Sequence, residues 1–222
     1  MAAPVSSPSS RDKILDVAEA LFARRGYAGV GLREVADAAG FGKSSLFHHF
    51  RSKTQIYGEV LDRVLQRIGE RVGPVVRAGA DPLERLERTI GTLVDALAEH
   101  PSTSRLLLRA LFEDEEFGAE TPPELLGAER TLAAILTDVS RLIEEGVARG
   151  VFRAVSVPDT LQSLIGASVY HFASADVGER LLGGPLFSAD AVARRRRELV
   201  ELFRRGIVAR PDVQPPSAGG TP

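Results

Sequence analysis

The chain of 222 residues has no cysteine. This excludes disulfides, a thiol nucleophile, Cys-ligated zinc or iron–sulfur sites, and thiol-based redox sensing. No run of about 18 uninterrupted apolar residues exists, so no transmembrane helix and no membrane partner are expected. The opening MAAPVSSPSS has neither a basic start nor an apolar stretch and does not read as a secretory signal; a cytoplasmic location is expected. Also missing are a Walker-type loop, a dinucleotide glycine fingerprint, a zinc-protease helix and a nucleophile elbow. No residue is therefore nominated as catalytic, and no cofactor or metal is expected. An excess of one charge is lacking too. With 28 Lys/Arg against 30 Asp/Glu the net charge is -2, which, spread evenly, would speak against a nucleic-acid partner.

Helical periodicity is what the sequence does contain. Residues 1–10 and 211–222 are rich in Pro, Ser, Ala and Gly and read as flexible tails. Between them the apolar stripes predict about nine helices. Ile14, Val17, Ala18, Leu21 and Phe22 mark the first, and Leu32, Val35, Ala36 and Ala39 a short second. Lys43 to Phe50 forms a third. A fourth carries Ile56, Val60, Val64 and Ile68 and is expected to end near Gly73-Pro74, at about residue 72. Asp81-Pro82 opens a fifth as cap and first-turn proline. Pro101 closes that helix, and Ser102 is read as the cap of a sixth. Thr121 to Glu124 opens a seventh that runs to Gly150, Pro158-Asp159 an eighth, and Ser188 caps a ninth. Residues 151–157 are the best strand candidate but lack a partner. The fold class is all-α.

The second and third helices have about two turns each and are joined by Gly40-Phe41-Gly42. Helices so short persist only when packed on neighbours. Three helices with a short glycine turn before the last form the helix-turn-helix layout, in which the last helix enters the DNA major groove. Charge segregates accordingly. Residues 11–57 hold eight Lys/Arg and five Asp/Glu, a net +3, and no acid lies between Phe41 and Tyr57. The rest of the chain holds 20 basic and 25 acidic residues, a net -5.

Arg11, Ile14-Leu15, Ala18, Leu21-Phe22, Gly26-Tyr27, Arg33-Glu34-Val35-Ala36, Ala39-Gly40-Phe41, Leu46-Phe47-His48-His49-Phe50 and Ser52-Lys53 follow one another in the order and spacing of a known DNA-binding domain. Over residues 11–57 the chain resembles the tetracycline-repressor (TetR/AcrR) family. The resemblance implies a DNA-binding domain at 11–57 whose last helix continues to about 72. It implies a larger helical ligand-binding and dimerisation domain at about 75–210. It also implies a regulator, most naturally a repressor, that binds a palindromic operator in double-stranded DNA as a homodimer and answers an unknown small-molecule effector. The dimer would form through the eighth and ninth helices, about 158–208, and the effector would act by shifting the fourth.

Carried over position by position, the resemblance implies that Lys43 contacts phosphate or guanine, and that Ser44 and Ser45 let the reading helix approach base edges. His48 falls at a frequent phosphate contact, and Phe47 at a position usually held by tyrosine. Lys53, with the helix N-terminus around it, would hold phosphate, and Arg33 would reach a base or the backbone. Gly31 and Gly42 stand where Ser or Thr usually caps the second and third helices. With the missing hydroxyl of Phe47, that removes up to three polar phosphate contacts.

Other features have plainer readings. His48 and His49 diverge by about 100° on a helix and do not readily share a metal. Arg194 to Arg197 span most of a helical circumference, cannot form one face, and read as a solvated helix with some arginines pairing across a dimer interface. Glu113 to Glu116 read as a solvated loop. Phe112, Phe117 and Phe152 either line an effector cavity or pack in the core; Tyr170 and His171 are candidate effector contacts, with an interior or interface histidine as the plainer reading of His171. His100 reads as a helix-end residue. Two other classes remain open on the sequence: a helical small-molecule binding protein without a specific DNA target, whose basic patch is incidental, and an all-α enzyme without a recognisable motif.

Overall fold

The computed structural model describes residues 9–79, 81–112 and 121–209. Ten α-helices occur among them, with one 3-10 turn. They are α1 (Ser10–Arg25), α2 (Leu32–Ala38), α3 (Lys43–His49), α4 (Lys53–Val76), α5 (Pro82–Glu99), α6 (Pro101–Ala110), α7 (Leu126–Ala148), α8 (Val157–Ala173), α9 (Ala175–Leu182) and α10 (Ala189–Ile207). The all-α reading holds. The helices anticipated as eighth and ninth are α8 and α10.

Helix α4 is the spine. Its 24 residues span about 36 Å at 1.5 Å per residue. The α1–α3 unit packs at its start, α5 and α7 along its length, and the 3-10 turn Pro123–Leu125 close to its first turns. Ile56, Val60, Val64 and Ile68 are buried, so a single apolar stripe serves both halves of the molecule. The α5 stripe Leu86, Ile90, Val94 and Leu97 is buried as well, each side chain contributing about 1.5–3 kcal/mol relative to exposure.

The structure departs from the sequence expectation at several points, each for a local reason. Ser10 already belongs to α1, because Ser9 and Asp12 form a capping box, so the tail read as 1–10 is shorter; residues 1–8 lie outside the described residues. Helix α4 runs past Pro74 to Val76. The guanidinium of Arg85 donates twice to the Val76 carbonyl, at 2.9 and 2.7 Å, and Val76 is buried, which holds the last turn that proline weakens. Helix α6 starts at Pro101, with His100 at the N-cap position and no side-chain cap bond. Ser102 is not its cap; its hydroxyl is used elsewhere. Helix α9 has no counterpart among the helices that the apolar stripes predict. It follows α8 after a break at Ala175 (φ 46°) and ends at Gly183 (φ 73°). The strand candidate contributes one isolated antiparallel bridge, Phe152 to Val208. The tail 211–222, Phe117 and the acidic run Glu113 to Glu116 lie outside the described residues.

Candidate nucleic-acid interface

The turn between α2 and α3 depends on Gly40. It sits at φ 77°, in the left-handed region that glycine enters without steric cost. The Phe41 amide bonds back to the Ala36 carbonyl at 2.9 Å and the Gly40 amide to Asp37 at 3.2 Å, closing a Schellman-type end to α2. Helix α3 then buries only Leu46, with Phe50 following it into the core. A seven-residue helix with one buried anchor needs outside fixation, and Arg11 provides it. Its guanidinium donates to the last α3 carbonyl, His49 O, at 2.8 Å, pairs with Glu59 on α4 at 2.5 Å, and lies 4.4 Å over the Phe50 ring. One side chain of α1 thereby ties the reading helix to α4.

The opposite face of α3 is open. Lys43, Ser44, Phe47 and His48 are exposed and Ser45 is half-buried. Lys43 Nζ lies 5.8 Å from the centre of the Phe47 ring, one turn on, so this ring supports the ammonium although it has no hydroxyl to offer. Gly31 and Gly42 cap α2 and α3 with no side-chain bond. Arg33 is exposed and 3.7 Å from Asp37, a weak pair that a phosphate can displace. His48 and His49 lie with ring centres 5.9 Å apart. Among the described residues no group of three or more His, Cys, Asp or Glu could hold a metal ion.

Lys53 is also engaged within the fold. Its ammonium donates to the Tyr27 carbonyl at 3.0 Å and lies 4.0 Å over the Tyr27 ring. Tyr27 in turn shares a 2.8 Å hydrogen bond with Thr54 and packs in a ring cluster with Phe22 and Tyr57. Lys53 thus joins the end of α1 to the start of α4, whatever else it touches. Arg51 was not singled out from the sequence. It is exposed directly after α3 and its side chain enters no ion pair among the described residues; its place in the acid-free stretch was the available signal.

A second network lies behind the reading unit. Glu19 on α1 is only 6% exposed. It accepts bonds from Arg67 at 2.9 and 3.0 Å, Arg63 at 3.3 Å and the Ser102 hydroxyl at 3.0 Å. Burial alone would raise its carboxyl pKa, but the bonds from Arg67 and Ser102 and the charge of Arg63 outweigh it and hold the group below the usual carboxylate range. Arg63 also pairs with Asp16 at 2.7 Å. From α6, Arg109 donates to Ala23 O and Arg24 O at 3.1 and 3.0 Å, neutralising the carbonyl end of α1. These contacts link α1 to α4 and α6 and were invisible to helical periodicity.

The four effector candidates are not brought together. Phe112 is 75% exposed at the end of α6. Phe152 is buried, its ring so close to Gly146 that a Cβ there would fall 2.0 Å from it. That makes it a core residue closing α7 against α10. Tyr170 is exposed. His171 is partly buried, its Nε2 without a partner; burial, then Arg195 and Arg194, push its pKa down to about 4, so the ring is neutral near pH 7. None of the four lines the clefts that run along α4: an open one of about 460 Å³ against α7, a smaller one toward α6, and one between the end of α3 and Pro123-Glu124.

A glycine-turned pair of short helices, anchored by long-range arginines to a larger helical body, defines a helix-turn-helix DNA-binding regulator. Residues 14–60 match the family described as bacterial regulatory proteins, tetR family, and residues 82–203 match the tetracyclin repressor-like C-terminal domain. The chain belongs to the tetR family of bacterial regulatory proteins. It is 30% identical over 197 residues, 89% of this chain and 91% of the relative, to the HTH-type transcriptional repressor KstR2 of Mycolicibacterium smegmatis. Among solved structures, the ketosteroid transcriptional regulator KstR2 of Mycobacterium tuberculosis covers 92% of this chain and 98% of its own, with a TM-score of 0.73 at 23% identity. AibR in complex with isovaleryl coenzyme A and operator DNA covers 87% and 97%, with a TM-score of 0.69 at 18% identity. At those identities the two structures establish the fold. The chain is a helix-turn-helix, DNA-binding transcriptional regulator, and no described helix is long and apolar enough to cross a membrane.

Proposed function

We propose that the protein represses transcription by holding a palindromic operator as a homodimer and releases it when a small molecule enters the helical domain of residues 75–210. The observation that carries the DNA half of this reading is the acid-free, exposed face of α3, pinned from behind by Arg11. On it Lys43 takes phosphate or guanine, Ser44 and Ser45 allow close approach to base edges, and His48 donates to phosphate. Arg33 flanks the groove from α2. Phe47 positions Lys43 in place of a hydroxyl contact. Lys53 sets the angle between α1 and α4, and the start of α4 adds its free amides to a phosphate. The work takes place in the cytoplasm, where the operator is.

A single +3 unit with one short reading helix makes few contacts, so two copies are needed, their half-sites a helical turn of about 34 Å or a multiple apart. Support for the dimer face comes from the far end of the molecule. Tyr170 on α8, Val177 and Leu181 on α9 and Leu202 on α10 are exposed apolar side chains on consecutive helices. Their burial against a second copy gives Tyr170 and His171 an interface role and draws α9 into it. Such an apolar surface has few other uses on a protein that stays in solution. In gel shifts with the DNA upstream of its own gene, the wild type is expected to bind with an affinity that falls steeply with salt. Sedimentation at micromolar concentration is expected to give a dimer, and Leu202→Arg a monomer with weakened operator binding. A wild-type monomer with full DNA affinity overturns the dimer reading.

A further inference from the structure

The cleft between α4, the end of α5 and the start of α6 combines features that point to a ligand. Arg67, Ile68 and Arg71 line it from α4, Glu99 from the end of α5, and His100 and Thr103 from the start of α6. Thr103 is 2% exposed, and its hydroxyl has no hydrogen-bond partner. A buried hydroxyl left unpaired at the wall of a cleft is a place where a ligand acceptor gains more than water loses. Helix α6 presents its N-terminus, without a side-chain cap, to the same space, and that end carries partial positive charge.

We propose that this cleft binds a small organic carboxylate. Its oxygens accept from the Thr103 hydroxyl and from the guanidinium of Arg71, while a short apolar tail lies on Ile68 and its buried neighbours. The volume of about 200 Å³, at about 30 Å³ per water-sized group, holds roughly seven non-hydrogen atoms. The resident carboxylates do not exclude an anion. Glu70 is exposed at the rim, and Glu99, which pairs with Arg71, has half its side chain in water, so surrendering that pair costs little. Arg67 joins the same cleft to the Glu19 network of α1. An acid held by Thr103 and Arg71 sets its negative charge in the cleft that Arg67 also lines, competes with Glu19 for that guanidinium, and so acts on the DNA-binding unit. This regulatory part rests on the reading of the protein as a ligand-responsive DNA-binding regulator; the binding part does not.

The test is calorimetric titration of the full chain with straight-chain carboxylates from acetate to hexanoate, each against the alcohol of equal length. One of the acids is expected to bind at least about tenfold more tightly than its alcohol, the worth of one charge-assisted hydrogen bond. Thr103→Val, of the same shape, is expected to lower that affinity about tenfold without lowering the melting temperature. Glu99→Gln is expected to raise it, because a competing carboxylate is gone; a merely structural role for Glu99 predicts no such gain. Equal binding of acid and alcohol, no binding of either, or unchanged affinity in Thr103→Val overturns the site. Gel shifts with the same acid separate the two readings. DNA binding unaffected by a bound acid removes the regulatory part alone, and absence of DNA binding without acid removes the regulator reading and leaves the site standing.

Discussion

Replacing Glu19 by Gln tests whether α1 is electrically fastened to the helical body. The substitution keeps the shape and removes the charge. Arg67 then loses its counter-ion, whereas Arg63 keeps Asp16 at 2.7 Å. Breaking a fully buried ion pair costs about 3–5 kcal/mol. Arg67 retains contact with water, its side chain being 30% exposed, so the loss is scaled down to about 1–3 kcal/mol. At about 2–4 °C per kcal/mol for a chain of this length, the melting temperature is expected to fall by roughly 2–12 °C at pH 7. The pH dependence gives the sharper check. The Glu19 carboxyl titrates below its ordinary value in the folded protein, so the unfolded chain takes up the proton first. Its stabilisation is present above about pH 4.5 and is lost as pH falls through the lowered folded value. The gap between wild type and Glu19→Gln, followed by scanning calorimetry from pH 7 downward, is therefore expected to narrow below about pH 4.5. Adding Arg67→Gln to Glu19→Gln is expected to restore part of the loss, because the uncompensated cation is gone. A variant that melts within about 1 °C of wild type at pH 7, with a parallel acid limb, refutes the fastening.

Lys43→Ala is expected to weaken operator binding about tenfold to a hundredfold and to reduce the slope of log affinity against log salt by about 1 per protomer; wild-type affinity and slope in a gel-shift series would remove Lys43 from the interface. His171, with its pKa pushed down to about 4 by burial, is neutral when folded, so its contribution is whole above about pH 6.5 and is lost as pH falls from there toward 4. His171→Phe is expected to flatten that interval of the stability profile, and an unchanged profile would place the ring in solvent. Gly58→Ala places a Cβ 2.1 Å from the Glu124 carbonyl, so the 3-10 turn must move off α4. A loss of about 1–3 kcal/mol is expected in denaturant titration, and an unaltered midpoint would show that the turn yields freely.

Much of the reading unit is legible in the chain because its determinants are local. The glycine turn at 40–42, the single buried anchor Leu46 and the acid-free run all lie within a few residues of the surface they shape, and a charge count over a short window finds them. The departures lie where one side chain answers another across the fold. Lys53 reads as a phosphate-holding cation at a helix start, and what the sequence does not show is that its ammonium also donates to the Tyr27 carbonyl, 26 residues earlier. Ser102 has the right residue type for a cap, but its hydroxyl goes to Glu19, 83 residues away, while proline alone starts α6. Phe152 is apolar and sits near a chain turn, which suits a cavity wall as well as a core. What decides is Gly146, whose missing side chain lets the ring sink in. Helix α9 is too short to show a stripe of its own and is set by the break at Ala175 and the stop at Gly183.

The same division explains how a chain of net charge -2 serves as a DNA-binding protein. Within residues 11–57 several cations are spent on the fold. Arg11 holds Glu59, Arg25 pairs with Glu34 and Lys53 holds Tyr27. The positive charge facing outward at α3 and its flanks rests mainly on Lys43, Arg51 and the weakly paired Arg33, while Lys53 keeps its charge but turns it toward Tyr27. Three such cations per protomer are too few for strong binding by one copy, since affinity scales with the phosphates neutralised. Two copies held at a fixed spacing double the count on one duplex. Under the proposed dimer reading, an event that changes that spacing lets half of the contacts go, and the network joining α1 to α4 and α6 is the place from which the helical body can move the reading unit. Substitutions in the Glu19 network are therefore expected to change the response to an effector more than the sequence preference, whereas those at Lys43 change affinity and leave the response intact. A gel-shift series with and without effector distinguishes the two, and equal effects of both kinds of substitution on the response would contradict the separation.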